Sequence, residues 1–204
     1  INVAIPSGNF GNAYSAWFGR SKGLPINEIL SSTNVNDVLR RFIETGELAP
    51  EKTLPSVAPS MDIQVPSSLE RLIFDFTDGA FDFYDTLTRE HKAKLSNEKI
   101  RELNHVFSSS TFLDDDIKNE IKSLHEEFGA IFDPHSVTSI RMALDNKGSI
   151  PTVAVATASP EKFSNIIAPL ISTSSEIIID EKEEYLTLEN DKFAISSTIK
   201  SYFS

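Results

Sequence analysis

One stretch near the start of the chain limits the folds open to it. Asn2-Val3-Ala4-Ile5 is a short apolar run closed by Pro6-Ser7-Gly8, and a helical pattern begins a few residues later. A short apolar run that ends in a turn suits a buried strand. Over residues 12–22, Ala13, Ala16, Trp17 and Arg20 recur at helical spacing, with Gly23 as a C′ residue and Pro25 as a stop beyond it. Ile29-Leu30-Ser31-Ser32 predicts a second strand, and residues 36–44 a second helix ended by Gly46. Strand, helix, strand, helix in that order implies an α/β fold with a parallel sheet, right-handed crossovers and flanking helices.

The connection inside the first unit is Pro6-Ser7-Gly8-Asn9-Phe10-Gly11-Asn12. Two glycines three apart are expected to allow positive φ and to turn backbone N–H groups inward. The helix that follows aims its positive end at the same place, so a phosphate would fit there. Asn9 and Asn12 add side-chain donors without a charge that would need neutralising. A tight strand–helix turn with no ligand is the alternative, and the pattern alone leaves both open.

Further along, residues 54–65 carry Pro55 and Pro59, with Pro66 next, and are expected to be irregular. Ser67-Ser68-Leu69-Glu70 has capping-box spacing, with Ser67 as cap and Glu70 at N3 of a helix through Phe76. Residues 79–146 are expected to be largely helical. Asp114-Asp115-Asp116 opens one helix there, and Asp133-Pro134 supplies the cap and first position of another. Thr152-Val153-Ala154-Val155-Ala156 predicts a late strand, and Ser159-Pro160 the start of the next helix. Residues 1–171 form the main unit in this reading, and residues 172–204 a helical C-terminal extension. Ile1 already sits inside a buried strand, so the chain is expected to be a truncated product that lacks the units before it.

Composition narrows the partners. The 204 residues carry a net charge of -11, whose long-range field repels nucleic acid and anionic membranes. Local N–H groups can still hold a phosphate. There are no cysteines, which rules out disulfides and thiolate metal sites. No apolar run approaches the length of a spanning helix. The three consecutive aspartates do not converge on one helix face and lack EF-hand spacing, so no metal site is expected.

The loop at residues 6–12 resembles the PSGNFGN phosphate loop of threonine synthases, which are fold-type-II enzymes dependent on pyridoxal 5′-phosphate (PLP). Other stretches resemble the same family in the same order. Ser32-Thr33-Asn34-Val35-Asn36-Asp37 is similar to its ATNxND, and Arg41-Phe42-Ile43-Glu44-Thr45-Gly46 to its RFxxTG. Ala58-Pro59-Ser60-Met61-Asp62-Ile63-Gln64-Val65-Pro66-Ser67 is similar to SPSMDIqvpS, with Glu70-Arg71 after it. Asp133-Pro134-His135-Ser136 is similar to DPHT, and Ala156-Thr157-Ala158-Ser159-Pro160-Glu161-Lys162-Phe163 to ATAHPxKF.

The resemblance implies the C-terminal part of a PLP-binding region. Gly8, Asn9, Phe10, Gly11 and Asn12 would cradle the cofactor phosphate, and the Thr157 hydroxyl would meet its pyridine nitrogen. A complete relative would convert O-phospho-L-homoserine and water to L-threonine and phosphate, in the cytoplasm or, in a plant, the plastid. The Schiff-base lysine would lie upstream, in a missing N-terminal half, so this chain alone is expected to be inactive.

Departures from the motifs fall at Ser68, Ser159 and residues 136–139. They leave room for a threonine-synthase-like phospho-lyase that releases a keto acid, or for a non-catalytic fragment. His91, His105 and His125 are expected to be solvated, and His135 to be a hydrogen-bonded structural histidine. Met61 and Trp17 are expected in the core. Arg71 and Lys162 are either surface residues or contacts to a substrate phosphate.

Overall fold

The computed structural model describes residues 1–79, 81–171 and 187–202. The first four elements follow the expected order: β1 (Asn2–Pro6), α1 (Gly11–Ser21), β2 (Ile29–Thr33) and α2 (Val38–Thr45). Then come β3 (Glu47–Leu48), α3 (Leu69–Phe76), α4 (Asp82–Glu90), β4 (Ala93–Lys94), α5 (Asn97–Asn104) and β5 (Phe107–Thr111). The later elements are α6 (Asp114–Phe128), α7 (Ser136–Asp145), β6 (Thr152–Ala154), α8 (Ser164–Ile167) and α9 (Lys192–Tyr202). A 3₁₀ turn at Pro59–Met61 interrupts the irregular segment, and another lies at Pro160–Phe163.

Four strands form a parallel sheet in the order β5-β2-β1-β6, and β3 pairs antiparallel with β4 beside it. Every residue of β1 is buried, as a central parallel strand covered on both faces requires. Side chains alternate between those faces. Val3, Ile5 and Ile29 join the core beneath α1, α2 and α3, whereas Ala4 and Leu30 pack on Met142 of α7. Helix α2 turns Val38, Leu39, Phe42 and Ile43 inward and ends at Gly46, whose φ is 71°. A Cβ on Gly46 would come within 2.3 Å of the Ile100 side chain, so both conformation and space call for glycine.

Two local expectations are corrected and one gains a strand. Residues 79–146 are largely helical, as expected, but Phe107–Thr111 forms β5 at the edge of the sheet. Its Ser109, Ser110 and Thr111 lie opposite Ser31, Ser32 and Thr33. The Ser109 hydroxyl donates to the Ser31 carbonyl at 2.5 Å, and the Thr33 and Thr111 hydroxyls meet at 3.0 Å. The Ser109 and Thr111 hydroxyls, satisfied across the ladder, help a serine-rich run occupy a strand, and Phe107 alone supplies its buried apolar anchor.

The Ser67 capping box does not form. Helix α3 starts at Leu69 after Ser68, and the Ser67 hydroxyl donates instead to Asn9 Oδ1 at 3.2 Å. Helix α7 starts at Ser136 and not at Pro134. Asp133 still serves its N-terminus, because Asp133 Oδ1 accepts the His135 N–H at 2.9 Å. By contrast, α6 opens on the three aspartates as expected, with Asp116 accepting the Leu113 N–H and Asp114 the Val57 N–H.

Of the expected C-terminal extension, residues 187–202 are described and include α9, while residues 172–186 and 203–204 lie outside the described residues. No helix among the described residues is long and apolar enough to cross a membrane.

Candidate functional site

The loop between β1 and α1 works differently from the two-glycine expectation. Neither Gly8 nor Gly11 has positive φ; the left-handed residue is Phe10, at φ 69° and ψ 11°. An aromatic residue rarely adopts that conformation. Here the ring is 1% exposed and packs on Phe107 with centroids 5.5 Å apart, so burial holds the backbone there. Gly8 is needed for a close approach. A Cβ there would lie 2.6 Å from the Ser60 carbonyl oxygen and 3.0 Å from Met61 Cα, backbone atoms that cannot swing away.

Gly11 is different again. Its Cβ would meet nothing nearer than Ser68 Oγ at 3.7 Å, so the protein itself leaves room for a side chain. That room opens on a cavity of about 290 Å³, near the lower limit of ligand pockets.

Residues 8–12 form one wall of the cavity. Ser60 and Met61 form a second, and His135 and Thr157 also line it. The phosphate-loop candidates and Thr157, 145 residues apart in sequence (157 − 12), thus line one space. Among the described residues, no carboxylate lines it. Helix α1 has no acidic residue in its first turn and no side-chain cap, so its free N–H groups and positive end are left for a ligand. The loop is anchored from outside. The Ser7 N–H donates to the Ser32 carbonyl at 2.9 Å, and the Ser68 N–H to the Asn9 carbonyl at 3.0 Å.

The second wall is held by two polar clusters. Asn34 and Asn36 donate to Asp62 Oδ1 at 2.7 and 3.0 Å, while Asp62 Oδ2 accepts the Ser56 N–H at 3.0 Å. Asn36 Oδ1 also accepts the Leu54 N–H at 2.8 Å, so the irregular segment is fastened along its length. The other cluster starts at His135, which is 3% exposed and packs edge-on against Phe163. Its Nε2 accepts the Ser60 N–H at 3.1 Å, and its Nδ1 lies 2.7 Å from Asp133 Oδ1. A backbone N–H can only donate, so the imidazole is neutral with its proton on Nδ1.

Burial pushes the fully buried Asp133 carboxyl up. Hydrogen bonds from the His135 ring, the Ser136 hydroxyl and the His135 N–H outweigh that and hold it below the usual carboxylate range. A folded value below the unfolded one, near 3.9, means that ionised Asp133 favours the fold above that pH. The contribution fades as pH falls through the lower folded value. Urea unfolding of the wild type and Asp133→Asn from about pH 6 to about pH 3 is expected to show a stability gap that narrows below about pH 4. A gap constant across the range would contradict this account.

Not every sequence candidate joins the site. Arg71 and Lys162 are exposed and line no part of the cavity; the Arg71 guanidinium sits 6.0 Å from the Tyr14 ring. His91 and His105 are exposed, whereas His125 is half-buried. Met61 is core, and Trp17 is half-buried beside Tyr14 and Phe76. Sequence reasoning missed Ser60 and Met61 as lining residues and Asp133 as their support, although all three lie in quoted motifs.

No family model matches the chain. It is 26% identical to threonine synthase of Pseudomonas aeruginosa over 215 residues, covering 99% of this chain and 46% of that protein. It is 31% identical to threonine synthase of Methylobacillus glycogenes over 188 residues, covering 86% of this chain and 39% of that protein. Among solved structures, PLP-bound threonine synthase from Brucella melitensis superposes with a TM-score of 0.84 at 25% identity, covering 99% of this chain and 46% of that one. The chain therefore spans less than half the length of the relatives it matches.

Proposed function

We propose, from a chain homologous with the C-terminal part of threonine synthases, that its cavity is the phosphate and pyridine end of a PLP site. The observation that carries the reading is the common cavity between the N-terminus of α1 and Thr157, lined by no carboxylate among the described residues. Residues 1–171 would form the C-terminal part of the PLP-binding region, with residues 172–204 as an extension. Gly8, Asn9, Phe10, Gly11 and Asn12 would hold the phosphate through backbone N–H groups and asparagine side chains, with the helix terminus favouring the anion. Gly11 contributes by lacking a Cβ where the phosphate would sit. The exposed Thr157 side chain would give its hydroxyl to the pyridine nitrogen, a neutral partner that leaves the ring unprotonated.

When bound, PLP would supply an electron sink for an amino-acid substrate. The remaining wall, and the lysine that anchors the cofactor, would come from an N-terminal half outside these 204 residues. The complete protein would then convert O-phospho-L-homoserine and water to L-threonine and phosphate.

The test uses the polypeptide that joins this chain to such a half. It is expected to consume O-phosphohomoserine and release threonine and phosphate in equal amounts. Borohydride reduction with mass mapping is expected to label a lysine outside these 204 residues. Release of a keto acid in place of threonine would overturn the substrate assignment, and a labelled lysine within this chain would overturn the division of the site. Thr157→Ala is expected to keep the cofactor but turn over more slowly, binding it about fivefold more weakly for the loss of ~1 kcal/mol. Unchanged turnover would remove Thr157 from the site.

A further inference from the structure

We propose that Asp133 is a positioning residue that sets both ends of this cavity at once, an inference that rests on the cofactor reading above. Its carboxylate holds two arms. On one side Asp133 Oδ1 accepts His135 Nδ1–H at 2.7 Å, and His135 Nε2 then accepts the Ser60 N–H at 3.1 Å. The Ser60 carbonyl fills the space that only glycine at position 8 leaves, so this arm seats the second wall against the phosphate loop. On the other side Asp133 Oδ2 accepts the Ser136 hydroxyl, and Ser136 Oγ accepts the Thr157 N–H at 3.0 Å. This second arm fixes Thr157 by its backbone and leaves its side chain to the cavity.

The direction of each bond is dictated from its far end. Ser60 N–H and Thr157 N–H can only donate, so His135 must carry its proton on Nδ1 and Ser136 must turn its hydroxyl hydrogen away from Thr157. Both protons converge on Asp133, and only a carboxylate can accept on both sides. In Asp133→Asn one side becomes an NH₂ donor, and one arm loses its acceptor. The carboxylate is completely buried, so water cannot substitute for it. Asp133 lines no part of the cavity and acts only through His135 and Ser136.

Separate probes for the two ends test the arrangement in the full polypeptide. PLP binding by absorbance reports on both ends, and competition by inorganic phosphate reports on the loop end alone. Ser136→Ala is expected to weaken PLP about fivefold while changing phosphate affinity by less than about twofold. His135→Phe is expected to weaken both ligands, and Asp133→Asn to weaken both as well. Ser136→Thr, which keeps the hydroxyl, is expected to restore PLP affinity.

Thermal unfolding recorded alongside identifies the variants that remain folded. If Asp133→Asn does not fold, the contrast between Ser136→Ala and His135→Phe still decides. Equal weakening of PLP and phosphate by Ser136→Ala overturns the two-armed arrangement, as does a folded Asp133→Asn with unchanged affinities. Wild type that binds neither ligand overturns the cofactor reading, and this inference with it. Wild type that binds both while the variants match it overturns this inference alone.

Discussion

In a polypeptide that joins this chain to the proposed N-terminal half, Gly11→Asp is expected to fold normally and to emerge from gel filtration without pyridoxal phosphate. Folding should survive because a Cβ at this position meets nothing closer than 3.7 Å, and because Gly11 does not use positive φ. An acidic residue at the first position of α1 even complements the helix terminus. The same features empty the site, since the new carboxylate takes the position a phosphate would hold and repels it. Two unit charges about 4 Å apart in a partly buried site repel by about 4 kcal/mol, roughly a thousandfold in affinity. Gly11→Ala adds only the methyl and should lose far less. Absorbance of the purified protein and its melting temperature check both halves of the expectation. A wild-type cofactor content in Gly11→Asp would remove residues 8–12 from the phosphate site.

Phe10→Ala is the substitution expected to cost the most stability, about 3–5 kcal/mol. Domains of this kind are stable by about 5–15 kcal/mol in total, so the variant is expected near its unfolding limit. The ring is buried in the main cluster beside Phe107, and its loss leaves a hole directly beneath the cavity loop. A second substitution separates packing from backbone. At φ 69° a non-glycine residue is strained by about 1–2 kcal/mol. Phe10→Gly loses the same ring but relieves that strain, so it should be at least as stable as Phe10→Ala, the reverse of the usual order within an element. Urea midpoints decide, and an alanine variant clearly more stable than the glycine variant would mean that residue 10 leaves the left-handed region once the ring is gone.

The first units were legible because apolar runs, helical spacing and glycine stops agreed over residues 1–46. The strand β5 was not, because Ser108, Ser109 and Ser110 give no alternation, and the carbonyl that the Ser109 hydroxyl meets belongs to Ser31 of β2. The cavity loop was legible as a place and misjudged in its mechanics. Gly8 answers to Ser60, more than fifty residues away (60 − 8 = 52), and Phe10 takes the left-handed conformation because of Phe107. Ser67 had the spacing of a cap but found Asn9. In each case the local pattern was sound and a distant partner decided the outcome.

The way residues 54–65 are fastened also has a bearing on the order in which the molecule assembles. Strands β1 and β2 are neighbours across a single helix, so their pairing closes a short loop. The cavity instead needs Asn34 to find Asp62, 28 residues on, and Ser60 to find His135, 75 residues on. Closing longer loops costs more chain entropy, and non-local contacts form late. The β1–β2 pair can thus stand before the pocket does, and the pocket can open while that pair remains intact. A ligand bridging residues 8–12 and Thr157 would tie the last-formed contacts to the first, and so lend the slowest part of the architecture its resistance to local unfolding.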